Sequence, residues 1–202
     1  MARKLIVFLI AAWSGYYVMA VELLSGRILA PSFGNSIYVW GGIITVFMLA
    51  LSLGYLAGGR LSLHRPSLRR LALLVLAAAL TAAPVIPLGA WFTDVVADQV
   101  WDPRYGTLVA GTALFFVPTL VCGTVSPYAV RLLVSENRTS GRAAGLLYFV
   151  STFGSAAGTI LTSFYLVLYF ELNQILGSLI AGSAAFAALA VAAGSRRDAA
   201  AD

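Results

Sequence analysis

Glu22 and Arg27 stand inside the stretch VELLSGRILAPSFGNSIYVWGG, residues 21–42, between two apolar runs. An acid and a guanidinium this close can hold a charged ligand, pass a proton or form a structural ion pair. On a helix, five steps turn Arg27 well away from Glu22. Direct pairing therefore requires a break near Ser25–Gly26, or Arg27 pairs elsewhere. Pro31 and Gly34 predict an ordered, bent connection after the helix. Three roles for Glu22 stay open: an interfacial carboxylate hydrated among headgroups, a buried one satisfied by Arg27 or by amides of the 31–36 loop, and a ligand or proton site.

Three other sets of residues have suggestive spacing. Ser151, Ser155, Thr159 and Ser163 recur every four residues beside Gly154 and Gly158, with Tyr148 one turn before Thr152. That pattern builds either a tight helix-packing face, its hydroxyls bonded one turn back, or the polar wall of a cavity. Asp94, Asp98 and Asp102 in WFTDVVADQVWDPRYG fall on one side of an expected interfacial helix. They are either a solvated face or a row attracting a cation such as a polyamine. Pro127 in VCGTVSPYAVRLL cannot donate to Gly123, so a kink is expected there, with Thr124 or Ser126 satisfying nearby backbone groups.

Catalytic chemistry finds little material. Cys122 and His64 are the sole residues of their types, and His64 lies in the basic loop RLSLHRPSLRR. No nucleophile–base pair is visible, so an enzyme acting alone is not expected. Nor are a disulfide, a cysteine metal cluster or a cofactor.

These residues must be positioned by elements suited to lipid. The 202-residue chain is 60% hydrophobic and 10% charged, with a mean hydropathy of +0.91. A soluble domain of this size cannot hide so much apolar surface. A crossing helix needs about 20 apolar residues, and six stretches qualify, at 5–29, 37–58, 71–92, 106–133, 143–170 and 173–194. None alternates as a β-barrel strand would. The expected fold is an all-α polytopic membrane bundle of about six helices, a single domain over 1–194, with 195–202 as a short disordered tail. At about 1.5 Å per residue, Glu22 would sit roughly 25 Å along its helix from Leu5, near the outer boundary.

The net charge of +5 does not point to nucleic acid, because the basic residues collect at the ends of the apolar runs. Six spans with the amino end inside place eleven Lys and Arg residues in the cytoplasm and only Arg27 and Arg104 outside. That asymmetry predicts an inner-membrane protein with both termini cytoplasmic. MARK followed by LIVFLIAAW also has the form of a signal peptide, with VMA as a cleavage site, but the apolar stretch continues past it. The basic loop 59–70 suits anionic headgroups or an acidic soluble partner.

ELLSGRILAPSFGNSIYVWGGIITVFMLALSLGYLAGGRL resembles the first two helices of the membrane domain in fused major-facilitator/spermidine-synthase-like proteins. CGTVSPYAVRLL and AGLLYFVSTFGSAAGTILTSFYLV resemble its later helices. The resemblance implies six or so helices arranged like one half of a major-facilitator transporter. The family's acid, arginine and proline then fall on Glu22, Arg27 and Pro31. Two departures stand out. The fused form continues into a soluble domain that binds S-adenosylmethionine-type cofactors, whereas this sequence stops at Asp202 and has no glycine-rich nucleotide loop. GYLAGGRL resembles the major-facilitator loop between helices two and three, but Gly58 replaces that motif's aspartate.

The leading expectation is a non-catalytic membrane subunit that recruits a separately encoded spermidine-synthase-like soluble protein through loops 59–70 and 132–142, and handles a small polyamine-like molecule. The alternatives are a homodimeric transporter, with the small-residue face at 151–163 as its interface, and a structural or assembly subunit of a membrane complex.

Overall fold

The computed structural model describes residues 2–63, 66–134 and 140–198. His64, Arg65, the 135–139 part of the second basic connection and the last four residues lie outside the described residues. Among the described residues every regular element is a helix: α1 Ala2–Phe33, α2 Ile37–Leu61, α3 Leu68–Ala82, α4 Val85–Gln99, α5 Pro103–Gly123, α6 Val125–Leu133, α7 Ser140–Leu161, α8 Val167–Tyr169 and α9 Leu172–Asp198. A π-helical turn, Thr162–Leu166, joins α7 to α8.

Five of the resulting spans are long and apolar enough to cross a bilayer, and α3 with α4 makes a sixth if the bent pair is one crossing. The polytopic helical membrane bundle expected from composition is the observed fold. Several details differ. The stretch expected as one span at 71–92 is two helices bent by 45°. The break falls at Ala83–Pro84, where proline removes a backbone donor. Trp91–Gln99 is helical as expected, but it is the later part of α4 and not a separate element. Helix α9 continues to Asp198, into the segment expected as a disordered tail, since its alanines are strong helix formers.

The first helix is the largest correction. Pro31 lies inside the last turn of α1 and not in a loop. There it forfeits one hydrogen bond without ending the helix. Gly34 does the ending: at φ +80 it takes the left-handed conformation that caps a helix, and its N–H donates to the Ala30 carbonyl at 2.8 Å. Ser36 then caps α2, its side chain accepting from the Val39 N–H. The connection is three residues long, and α1 extends eleven residues beyond Glu22, roughly 16 Å. Glu22 is therefore eleven residues inside the helix and not at its end.

The helices pair in a pattern. Helix α1 packs most extensively on α7, α2 on α5, and α3 on α9. Exchanging the first three spans for the last three converts the α1–α7 pairing into the α5–α2 pairing and leaves the third unchanged. Two of these pairings are close backbone approaches. A Cβ at Gly154 or Gly158 would strike the backbone of Ala12 or Tyr16, and one at Gly54 would strike Leu120 and Gly123. Missing side chains let dispersion act between backbones, which holds helices together where water supplies no driving force.

Two apolar clusters fill the bundle at different heights. One joins the later part of α1 with the start of α2, the end of α3 and the start of α9, through Leu24, Leu29, Phe47, Phe115 and Leu179. The other joins the beginnings of α1, α3 and α7 to the ends of α6 and α9, through Ile10, Leu71, Tyr128, Leu147 and Ala190. The amino end of α1 and the later part of α9 thus share one end of the bundle.

Candidate functional site

The expected Glu22–Arg27 constellation is resolved into two separate arrangements. Because α1 is continuous through both residues, they point to different sides, and no ion pair joins them. Arg27 pairs elsewhere: its Nη1 donates to the Val167 carbonyl oxygen at 3.1 Å. Val167 follows the π turn and opens the last helical turn, which ends as Phe170 becomes extended, so its carbonyl has no helical donor. The guanidinium supplies a donor at that break.

Glu22 has no such partner. Among the described residues no hydrogen bond or ion pair reaches its carboxylate; the nearby 2.6 Å bond from the Ser25 hydroxyl goes to the Glu22 backbone carbonyl. Within residues 31–36 the Gly34 N–H is taken by the Ala30 carbonyl, and among the described residues no amide of this stretch bonds to the Glu22 carboxylate. The side chain is half-buried. Its place on α1 follows from helical periodicity. It lies two turns beyond Gly15, which meets Ser151 and Ser155 of α7, and one turn before Gly26, which meets the Trp40 ring of α2. Glu22 thus occupies the side of α1 between its α7 and α2 contacts.

The hydroxyl-bearing face of α7 is packing, not an open wall. Ser155 Oγ donates to the Ser151 carbonyl at 3.2 Å, and Thr159 Oγ1 to the Ser155 carbonyl at 3.0 Å. Gly15 of α1 abuts Ser151 and Ser155. Ser163, expected to continue this face, is exposed, and so is Tyr148. The buried row is Gly154, Gly158 and Thr162 instead. Thr162 Oγ1 is buried without a well-formed hydrogen bond, facing the Tyr16 phenol. The small-residue face is thus covered by α1 of the same chain.

The three aspartates do not converge. Asp94 accepts from the Ser32 hydroxyl at 2.7 Å, tying α4 to the end of α1. Asp98 is exposed. Asp102 lies beyond the end of α4 and caps α5, because Val100 has already turned extended. It accepts from the Arg104 N–H at 2.9 Å and pairs with the Arg104 guanidinium at 2.7 Å. These bonds, the side-chain contact above all, hold its carboxyl below the usual carboxylate range. Among the described residues no group of three His, Cys, Asp or Glu side chains could hold a metal.

The span that carries Pro127 is interrupted at Thr124, between α5 and α6. The Thr124 hydroxyl donates to the Val121 carbonyl at 2.7 Å. Gly58 packs directly on this break: a Cβ there would collide with Thr124 and the Pro127 ring. That contact leaves no room for the aspartate of the related loop motif.

A buried polar seam escaped notice in the sequence. On the side of α1 opposite Glu22, Trp13 Nε1 donates to Ser183 Oγ at 2.9 Å, and Ser14 Oγ lies 3.3 Å from Cys122 Sγ. The Tyr17 hydroxyl donates to the Ala78 carbonyl at 3.5 Å. The space among them is about 10 Å³, at the lower limit for one water. Each group is satisfied by a different helix, so the seam registers α1 against α3, α5 and α9. Only the presence of polar types at 13, 14 and 17 within an apolar run hinted at it.

Comparison with protein-family models, curated proteins and solved structures finds no match for this chain.

Proposed function

We propose that this chain is one half of a membrane pathway for a small cationic molecule, completed by a second copy across the face that carries Glu22. The observation that carries this reading is the half-buried, unpartnered Glu22 carboxylate within the first apolar helix. A charge at such depth costs roughly 3 kcal/mol, and intramembrane ionisable groups usually serve transport or binding. A positively charged ligand, in the polyamine class among others, offsets that cost.

Two features support the half-unit. The pairing of helices, symmetric under exchange of the first and last three spans, is the architecture of transporters built from internal repeats. The fifth span is also the least covered: 17% of its crossing stretch is buried, against 33–50% in the other four. Its uncovered surface carries Tyr148, Phe149, Phe153, Phe164 and Tyr165. These aromatics, not the small-residue row, are the surface offered to the second copy.

Uptake of labelled spermidine by proteoliposomes tests the reading. Uptake is expected with the unaltered chain, retained in Glu22→Asp and lost in Glu22→Gln. A chain that stays monomeric in detergent and gives no uptake overturns it. Co-purification with a soluble synthase-like protein, indifferent to Glu22→Gln, would favour the role of a membrane anchor instead.

A further inference from the structure

At the opposite end of the bundle from Glu22's surroundings, a cavity of about 580 Å³ opens between the end of α2, the start of α3 and α6. Its lining is divided by chemistry. Leu61, Leu73 and Leu74 form apolar walls, while Arg60 and Arg70 supply two guanidiniums. Tyr128 makes the floor; it is 1% exposed, and its hydroxyl is fixed by accepting from the Ser67 N–H at 3.1 Å. Ser67 also caps α3 by accepting from the Arg70 N–H. The amino end of a 15-residue helix, with its positive dipole, is thus set against the same space.

The geometry points to a binding site for one anionic phospholipid, its phosphate held by Arg60 and Arg70 and the first part of an acyl chain lying along Leu61, Leu73 and Leu74. Three features select this occupant over a free anion or a peptide. The cavity is of ligand size. Leu61 and Leu73 are about half exposed at the ends of membrane spans, so the walls continue into lipid. Among the described residues no hydrogen bond or ion pair engages the Arg60 guanidinium. Planar guanidiniums suit phosphate oxygens through paired donors. This site concerns lipid alone and does not depend on whether the chain transports anything.

Native mass spectrometry of the full chain, titrated with phosphatidylglycerol and with phosphatidylcholine of the same acyl chains, tests the inference. Phosphatidylglycerol is expected to bind preferentially. Arg60→Gln with Arg70→Gln should weaken it roughly thirtyfold, whereas Arg3→Gln with Lys4→Gln, which removes as much charge from exposed positions near the amino terminus, should change it less than threefold. Leu73→Trp keeps both guanidiniums and fills the groove at an exposed position, so it should also abolish the preference. Equal binding of the two lipids, equal losses in the two charge pairs, undiminished binding in Leu73→Trp, or displacement by equimolar inorganic phosphate would each overturn the site.

Discussion

Arg27 donates to the carbonyl oxygen of Val167 at 3.1 Å, across 140 residues of sequence, and so fastens the later part of α1 to the distorted end of the fifth span. The bond explains how a guanidinium is held there without a carboxylate: the helix ends at Tyr169, its last carbonyls have no helical donor, and carbonyls accept. Arg27→Gln should destabilise the chain by about 1 kcal/mol, a charged hydrogen bond discounted for its exposure. Amide exchange should rise over 162–169 and stay unchanged in α3. Arg27→Lys should recover part of the protection, since an ammonium still donates without the planar fork.

Gly154 and Gly145 stand in the same helix with opposite expectations. A Cβ at Gly154 meets the Ala12 backbone, whereas one at Gly145 meets nothing within 4 Å. Gly154→Ala must push α1 and α7 apart and should cost about 3 kcal/mol. Gly145→Ala should stabilise by about 0.5 kcal/mol through reduced chain entropy. Thermal unfolding of both in one detergent checks the contrast. Equal effects would show that the α1–α7 approach is looser than described.

What the sequence disclosed and what it concealed divide along physical lines. Lipid demands long apolar runs with satisfied backbones, so the bundle and its helical class were legible. Pro127 removes a backbone donor wherever it falls in a helix, and an irregularity near it was legible; the structure interrupts the helix at Thr124. Pro84 has the same chemistry, but the apolar residues on both sides average over it, and the broken third span looked continuous. Pro31 looked like a terminator because proline position relative to a helix end is set by Gly34, three residues later. The small-residue row in α7 announced a close approach but not its partner; only the tertiary structure assigns it to α1. The π turn and the seam at Trp13, Ser14 and Tyr17 depend on neighbours from distant helices and carry no local signature.

Asp102 gives a pH-dependent expectation. Its carboxyl titrates lower in the folded chain than in the unfolded one, because Arg104 favours the charged form. The stabilisation is therefore complete above the ordinary carboxylate value of about 4 and disappears as pH falls through the lower folded value. Unaltered chain and Asp102→Asn should differ in melting temperature at pH 7 and converge toward pH 3. A difference that grows on acidification would contradict the capping and pairing role.

Because Cys122 is buried, the orientation can be read without removing the native cysteine. It is the only cysteine, it is buried, and it lies against Ser14 in the packed seam, so a maleimide should leave the folded chain unlabelled. Leu63 and Trp101 are 71% and 95% exposed in connections at opposite ends of the third span. Leu63→Cys and Trp101→Cys therefore report on the two sides independently. The arginine asymmetry predicts that an impermeant maleimide added to intact cells labels Trp101→Cys and reaches Leu63→Cys only after the membrane is opened. The reverse pattern would put Arg60, Arg69 and Arg70 outside and invert the bundle. The lipid cavity would then face the other leaflet, and the outer aspartates would face the cytoplasm. Labelling of both from outside would mean that the bent α3–α4 pair re-enters and does not cross, leaving five crossings and termini on opposite sides.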